Sequence, residues 1–460
     1  MKNKFILNLI IFLHFMIIIG CSSIKNLSQE NKSDFYNNFI ENTTTKELSN
    51  GIKVILNNNI NAKVNTVMFY FKTGSSNLPI EKAGTSSIAL TMMNNSSKNF
   101  SAENKQRLIN KTLSKTNFSA SSMMTTLSIT CLTKYFSQVF PIIKDAILNP
   151  EFSDYKEIIK QQKFLLNNTT KSDLDLLNFL SEEDLKRKTN FIGKSKVAKE
   201  TIDSITEEDL INFHKSLFTE NSIYILCAGN FDEKKFIKEL EKSFGKIKLI
   251  KNESEYNIFD YSFSSEIIEF NNNNNSKLDY AKGYINFPQN IDKYYASTKL
   301  LTLIYSDLLN NIVREKNGAC YSTGMFETLC NKPFLTTLGY RISNKTEFFN
   351  GIKEAKQILK NKKIISRKSN DTAQKEFLLV PIDEKLENYK NQLINTVYAN
   401  AATSEGKIYL METGLILGKE PDFMFQLENK INQVTKENLY ECIDYVISNE
   451  EQWYYITGVK

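Results

Sequence analysis

Apolar and polar positions fall into short blocks whose period changes repeatedly along this chain. Val64 to Phe71 is a strand-like run closed by the breaker Thr73-Gly74-Ser75. Ala83 to Met93 follows, opened by Gly84, with Ile88, Ala89, Met92 and Met93 at helical spacing. Strand, loop and glycine-opened helix are therefore expected in that order. Asn50-Gly51 signals a hairpin between Glu47-Leu48 and Ile52 to Leu56. Ser101 caps an expected helix to about Lys115, and Phe118 to Leu132 reads as one long strand. Helices are expected at about 134–148, 153–168 and 173–187, and 204–244 reads helix, strand, helix. After an asparagine-rich stretch, a second block opens with a strand at Gly283–Phe287 and a long helix from Ile291 to Glu315. Strands near Tyr321–Leu329 and Phe334–Ile342 come next, then helices up to a final strand at Trp453–Gly458.

The two blocks share a register. Ile205-Thr206-Glu207-Glu208-Asp209-Leu210 returns as Val434-Thr435-Lys436-Glu437-Asn438-Leu439, and each copy leads through a helix to a strand ending in glycine. Thr435 lies 229 residues after Thr206, and Gly458 lies 229 after Gly229. One offset for both anchors points to two copies of one unit. The expected fold is α+β, two similar domains, each a mainly antiparallel sheet covered by helices on one face. The divisions expected are 1–20, 21–45, 46–250, a linker at 251–276, and 277–460.

The amino end adds an address. Lys2 and Lys4 precede an apolar run from Phe5 to Ile19, too short for a stable span, which closes as Ile18-Ile19-Gly20-Cys21. This resembles a bacterial lipobox, which implies cleavage before Cys21, diacylation of its thiol and a lipid-anchored place in the cell envelope. Residues 22–45, polar and rich in Asn and Ser, read as a flexible tether. Losing Lys2 and Lys4 lowers the net charge from +6 to +4, too mild a balance to indicate nucleic-acid binding. The densest basic run, Lys360 to Lys368, reads as a solvated helix end and loop.

Two histidines, His14 and His214, are present, and removal of the leader leaves one. A metal held by paired imidazoles is thereby excluded, though not one held by thiolates or carboxylates. His214, inside the repeated helix, reads as structural. Beyond Cys21 the five cysteines have no C-x-x-C spacing and imply no disulfide framework, although Cys320 and Cys330 could pair across a hairpin.

The segment from Val64 to Met93 resembles the place where insulinase and pitrilysin peptidases, the M16 family, carry the zinc motif H-x-x-E-H. On that resemblance the motif positions fall on Ser87, Leu90 and Thr91, where neither hydroxyl is a good zinc ligand and leucine is no general base. The family's downstream glutamate is implied roughly 75 residues on. No acidic residue occurs between Glu157 and Asp173; Phe164 to Asn168 fill that window. Asn50 to Leu56, Ser204 to Asp232, and Arg314-Glu315-Lys316-Asn317-Gly318-Ala319-Cys320-Tyr321 are similar to further family segments. The resemblance implies a half clam-shell that binds no cofactor itself and pairs with a zinc-bearing subunit. It also implies that Arg314 and Tyr321 reach the partner's site and hydrogen-bond an unfolded peptide substrate. Two readings stay open here: a non-catalytic peptidase subunit, or a stand-alone binding or structural lipoprotein on an inactivated fold.

Overall fold

The computed structural model describes residues 35–168, 172–189, 195–251, 261–271, 278–330, 332–368 and 376–458. The leader, Cys21 and the tether up to residue 34 lie outside the described residues.

The chain enters through helix α1 (Phe35–Glu41) and strands β1 (Thr43–Glu47), β2 (Lys53–Asn58) and β3 (Val64–Phe71). Asn50-Gly51 makes the expected turn, with Gly51 at φ +91°, a conformation glycine adopts without a Cβ penalty. Helices α2 (Thr85–Asn95) and α3 (Ala102–Thr112) lead to β4 (Lys115–Ala120) and β5 (Thr125–Leu132). Helices α4 (Phe136–Leu148), α5 (Tyr155–Asn168), α6 (Asp173–Thr189) and α7 (Glu207–Ser216) follow, then β6 (Ile223–Gly229) and α8 (Glu233–Ser243). The second half runs β7 (Ile267–Asn271), β8 (Asp279–Asn286), α9 (Ile291–Leu309), a π-helical turn over Asn310–Lys316, β9 (Cys320–Thr328) and β10 (Phe334–Ile342). It ends with α10 (Lys345–Lys360), β11 (Lys363–Lys368), β12 (Glu376–Pro381), α11 (Leu386–Ala401), α12 (Ser404–Ile416), α13 (Leu427–Gln433), α14 (Lys436–Ser448) and β13 (Gln452–Thr457).

Several elements differ from the sequence reading. The single strand expected over 118–132 is a hairpin, because the Ser121 hydroxyl accepts from the Met123 and Met124 amides and reverses the chain. The helix expected to reach Glu315 stops at Leu309 and widens into the π turn. The linker contains β7, which pairs in parallel with β13. The basic run is no loop: Lys363–Lys368 is a strand with Ile364 and Ile365 buried. Residues 35–41, read as tether, are the helix α1, whose Phe39 stacks on Phe425 at 3.6 Å while the Tyr36 hydroxyl donates to Asp422.

Among the described residues the first sheet has strand order β1-β2-β6-β3-β5-β4 and the second β7-β13-β8-β10-β9. From β2 and β7 onward the two orders follow one path, each with one parallel pair, β2 with β6 and β7 with β13. The repeat read in the sequence is thus a repeat of topology. Thr206 and Thr435 each close a capping box, with Asp209 and Asn438 respectively, so both copies start the helix that precedes β6 or β13 by the same device.

Alternation along the strands divides each sheet between two cores. Val67, Phe69, Ile225 and Cys227 face the first half's own helices. Met68, Tyr70, Tyr224 and Leu226 point the other way, into a core shared with the second half, where α12 lies against β3 and β6. There Ser404 donates to the Val64 carbonyl and Lys407 to Asn57. In return α6 sends Leu177 and Leu185 onto the outer face of the second sheet, among Tyr280, Tyr284, Phe334 and Tyr454. The halves exchange helices, α6 packing on the second sheet and α12 on the first.

Candidate functional site

Helix α2 opens at Gly84, whose φ of +97° and close approach to the Val197 backbone, 2.8 Å from where a Cβ would sit, admit no other residue without displacement. The helix buries Ile88, Ala89, Leu90, Met92 and Met93 against the first sheet. Ser87 and Thr91 share the opposite, more open face. The Thr91 hydroxyl donates to the Ser87 carbonyl at 2.8 Å and so is spent on its own helix. Leu90 is 3 % exposed and belongs to the core. Helix α5 packs against α2, and Phe164 and Leu165 there are exposed at 67 % and 50 %. These side chains do not fit a zinc ion: two short hydroxyls, a sealed leucine and two phenyl or isobutyl groups offer no anionic or imidazole donor. A cleft of about 300 Å³ lies one turn further, between Met92, Asn95 and Glu151, Asp154 and Glu157. Among the described residues no three His, Cys, Asp or Glu side chains converge as a metal would require.

His214 is half-buried, its ring beside Phe152 and Phe218. Its Nε2 lies 2.7 Å from the Ile147 carbonyl, and burial lowers its pKa, so it stands as a neutral imidazole donating through Nε2. Burial pushes the thiols of Cys131 and Cys320 up to about 12. Cys320 and Cys330 do not pair: one begins β9 and the other follows its end, so the length of the strand separates them.

The structure does bring Arg314 and Tyr321 together. Arg314 sits in the π turn, which ends where the Gly318 amide donates to the Arg314 carbonyl and the Ala319 amide to Val313. Gly318 takes φ +60° with open space around it, so glycine is needed there for its backbone alone. The reversal starts β9 beside the turn it has just left, and the Arg314 Cζ lies 5.6 Å from the centre of the Tyr321 ring. A Lys316–Glu354 ion pair at 2.6 Å and Ser343, donating to the Gly318 and Ala319 carbonyls, brace the turn. Tyr321 is 56 % exposed and the Arg314 side chain 45 %, with Glu315 beside it at 3.6 Å. The guanidinium turns to the ring instead of capping the helix behind it.

Sequence reasoning missed a third member of this group. Arg341, in β10, places its Cζ 5.8 Å from the Tyr321 ring and 5.4 Å from the Tyr340 ring. No motif marks it, because its position depends on an irregularity in β10 that the residue types do not announce.

Two repeated sheets with exchanged helices make up the α+β fold, and helix α2 carries no metal donor. Family models identify the fold. The model described as insulinase, peptidase family M16, matches residues 53–198, and that described as the peptidase M16 inactive domain matches 204–363. Together they span about two thirds of the chain, and the chain belongs to the M16 peptidase family. No curated protein matches it. Among solved structures it is similar to a protease from Helicobacter pylori, at 13 % identity and a TM-score of 0.71 over 90 % of this chain and 99 % of that one. A peptidase M16 inactive domain from Pseudomonas fluorescens gives 15 % identity and a TM-score of 0.71 over 91 % and 98 %. The periplasmic protease PqqL from Escherichia coli gives 15 % and 0.68, covering 96 % of this chain but 47 % of PqqL.

Proposed function

We propose that this chain is the non-catalytic subunit of a two-chain zinc peptidase. It forms half of a peptide-binding chamber and lends Arg314 and Tyr321 to a zinc-bearing partner of the same fold. The observation that carries this is the contrast inside the molecule: the motif helix has no metal donor, while an exposed guanidinium and phenol are held side by side at the start of β9. Such donors stabilise an oxyanion as charge develops on it. That the chain aligns with about half the length of PqqL supports a second half of similar size, here a separate chain. Both β4 and β9 end their sheets with an unpaired edge among the described residues, a surface on which an extended peptide can add as a strand. Diacylated Cys21 anchors the subunit to the cell envelope, and among the described residues no helix is long and apolar enough to cross a membrane.

The test is purification of the mature chain from its native membrane, identification of a co-purifying H-x-x-E-H chain, and peptide cleavage by the reconstituted pair. Tyr321→Phe deletes only a hydroxyl. It should assemble normally and lose about a hundredfold in turnover, on the order of 3 kcal/mol, more than it loses in substrate affinity. Full turnover with normal assembly removes Tyr321 from the chemistry. If no zinc-bearing partner is found, the chain is a stand-alone binding lipoprotein.

A further inference from the structure

Arg341 is held where an arginine is costly. Its φ is +53°, in the left-handed region that a Cβ disfavours, at the point where the register of β10 against β8 shifts between Gly339 and Ile342. Glycine or asparagine would take this position more readily. The irregularity turns an exposed guanidinium back over two rings, Tyr340 and Tyr321. The rings stand edge to face at 6.2 Å, and Tyr280 abuts Tyr340 at 5.2 Å. Tyr280 and Tyr340 bear on the Arg341 guanidinium electrostatically, and Asp173, at the start of α6, bears on Tyr280 in the same way. An outlying backbone conformation that aims a charged side chain at an exposed aromatic group is a reason to look for a ligand.

We infer that Arg341 is a specificity-determining residue that binds an acidic side chain of the peptide, Asp or Glu, next to the segment held by Arg314 and Tyr321. This rests on the reading of Arg314 and Tyr321 as peptide-facing. The two guanidinium carbons each lie within 6 Å of one ring centre, so they are no more than about 11 Å apart, roughly three residues of extended chain. A peptide whose backbone carbonyl meets Arg314 therefore presents a carboxylate to Arg341 from within about three residues. Guanidinium is suited to this because its planar fork pairs with both carboxylate oxygens while its face stays stacked on a ring.

The experiment needs no partner subunit. Binding of short, unstructured, fluorescein-labelled peptides is measured by anisotropy on the isolated mature chain at low salt. One peptide carries a single central Glu and its twin a Gln. The chain should bind the Glu peptide about fivefold more tightly, with the difference shrinking as salt rises. Arg341→Asn suits the backbone conformation; it should keep the melting temperature and the binding of the Gln peptide, and lose the preference. Arg341→Lys should retain part of it. Equal binding of both peptides by the unaltered chain, no measurable binding of either, or a preference that survives in Arg341→Asn would overturn the inference. Absence of a zinc-bearing partner bears on the proposed function and leaves this result standing. A Tyr321→Phe pair with full turnover does the same.

Discussion

In the first half, α2 leaves β3 and turns its hydroxyl-bearing face outward; in the second, α9 leaves the equivalent strand β8 and unwinds into the π turn that delivers Arg314 to Tyr321. The strands before and after occupy matching places in the two sheets. The difference lies in what each helix uses its side chains for. Helix α2 devotes its length to packing, and its Leu90 is sealed in the core. The second-half turn spends a π-helical segment and a left-handed glycine on placing two exposed side chains that contribute little to the core. One unit of topology therefore packs its helix side chains inward in one copy and holds two exposed side chains together in the other.

The largest effect that tests this contrast is at Leu90. Leu90→Ala should cost about 2–5 kcal/mol in urea unfolding, and Leu90→Glu at least as much, since a carboxylate would enter a core with no partner for it. Tyr321→Ala should change stability by no more than about 0.5 kcal/mol. Comparable losses at both positions would erase the distinction.

The exchanged helices give a second test. Burial raises the Glu412 pKa, on α12, from 4.5 to about 7, so the folded chain holds a proton there that the unfolded chain releases. Stability from this group is present below pH 4.5 and is lost as pH rises through about 7. Glu412→Gln should therefore match the parent near pH 4 and exceed it at pH 8 by up to about 3 kcal/mol, read as the difference between their thermal melts. A constant difference across that range would place Glu412 in contact with water and loosen α12 from its seat. The smallest expected effect sharpens the symmetry: Thr206→Ala and Thr435→Ala should cost about 1 kcal/mol each, with the double variant adding within about 0.5 kcal/mol. Unequal costs would show that the copies lean on their caps differently.

The sequence was most informative where local rules operate. The turn at Gly51 and the paired threonine caps depend on residues near one another, and each appears in the structure in the expected element, while the strand expected to end at Gly458 stops at Thr457. Thr91 and Leu90 were legible as unsuitable ligands by chemistry alone. The Ser121 reversal was hidden because its serines sit between two strand-like runs without Gly or Pro. The π turn left no mark in side-chain periodicity, and β7 was masked by asparagine-rich surroundings. Least legible was anything set by long-range packing: the seat of α6 on the second sheet, that of α12 on the first, and the aim of Arg341.

The exchange of helices also sets the order in which the chain can finish folding. The face of the first sheet formed by Met68, Tyr70, Tyr224 and Leu226 waits for α12, and Ser404, which docks it, stands 340 residues from its acceptor Val64. That face is complete once β6 ends at Gly229, 175 residues before Ser404, and at roughly 5–20 residues per second of synthesis the wait is on the order of 9–35 s. Throughout it the first half carries an uncovered apolar face and an edge strand, the conditions under which chains associate wrongly. The first half is thus a platform completed only by the last part of the chain, and a truncation that removes α12 should leave it sticky instead of independently folded.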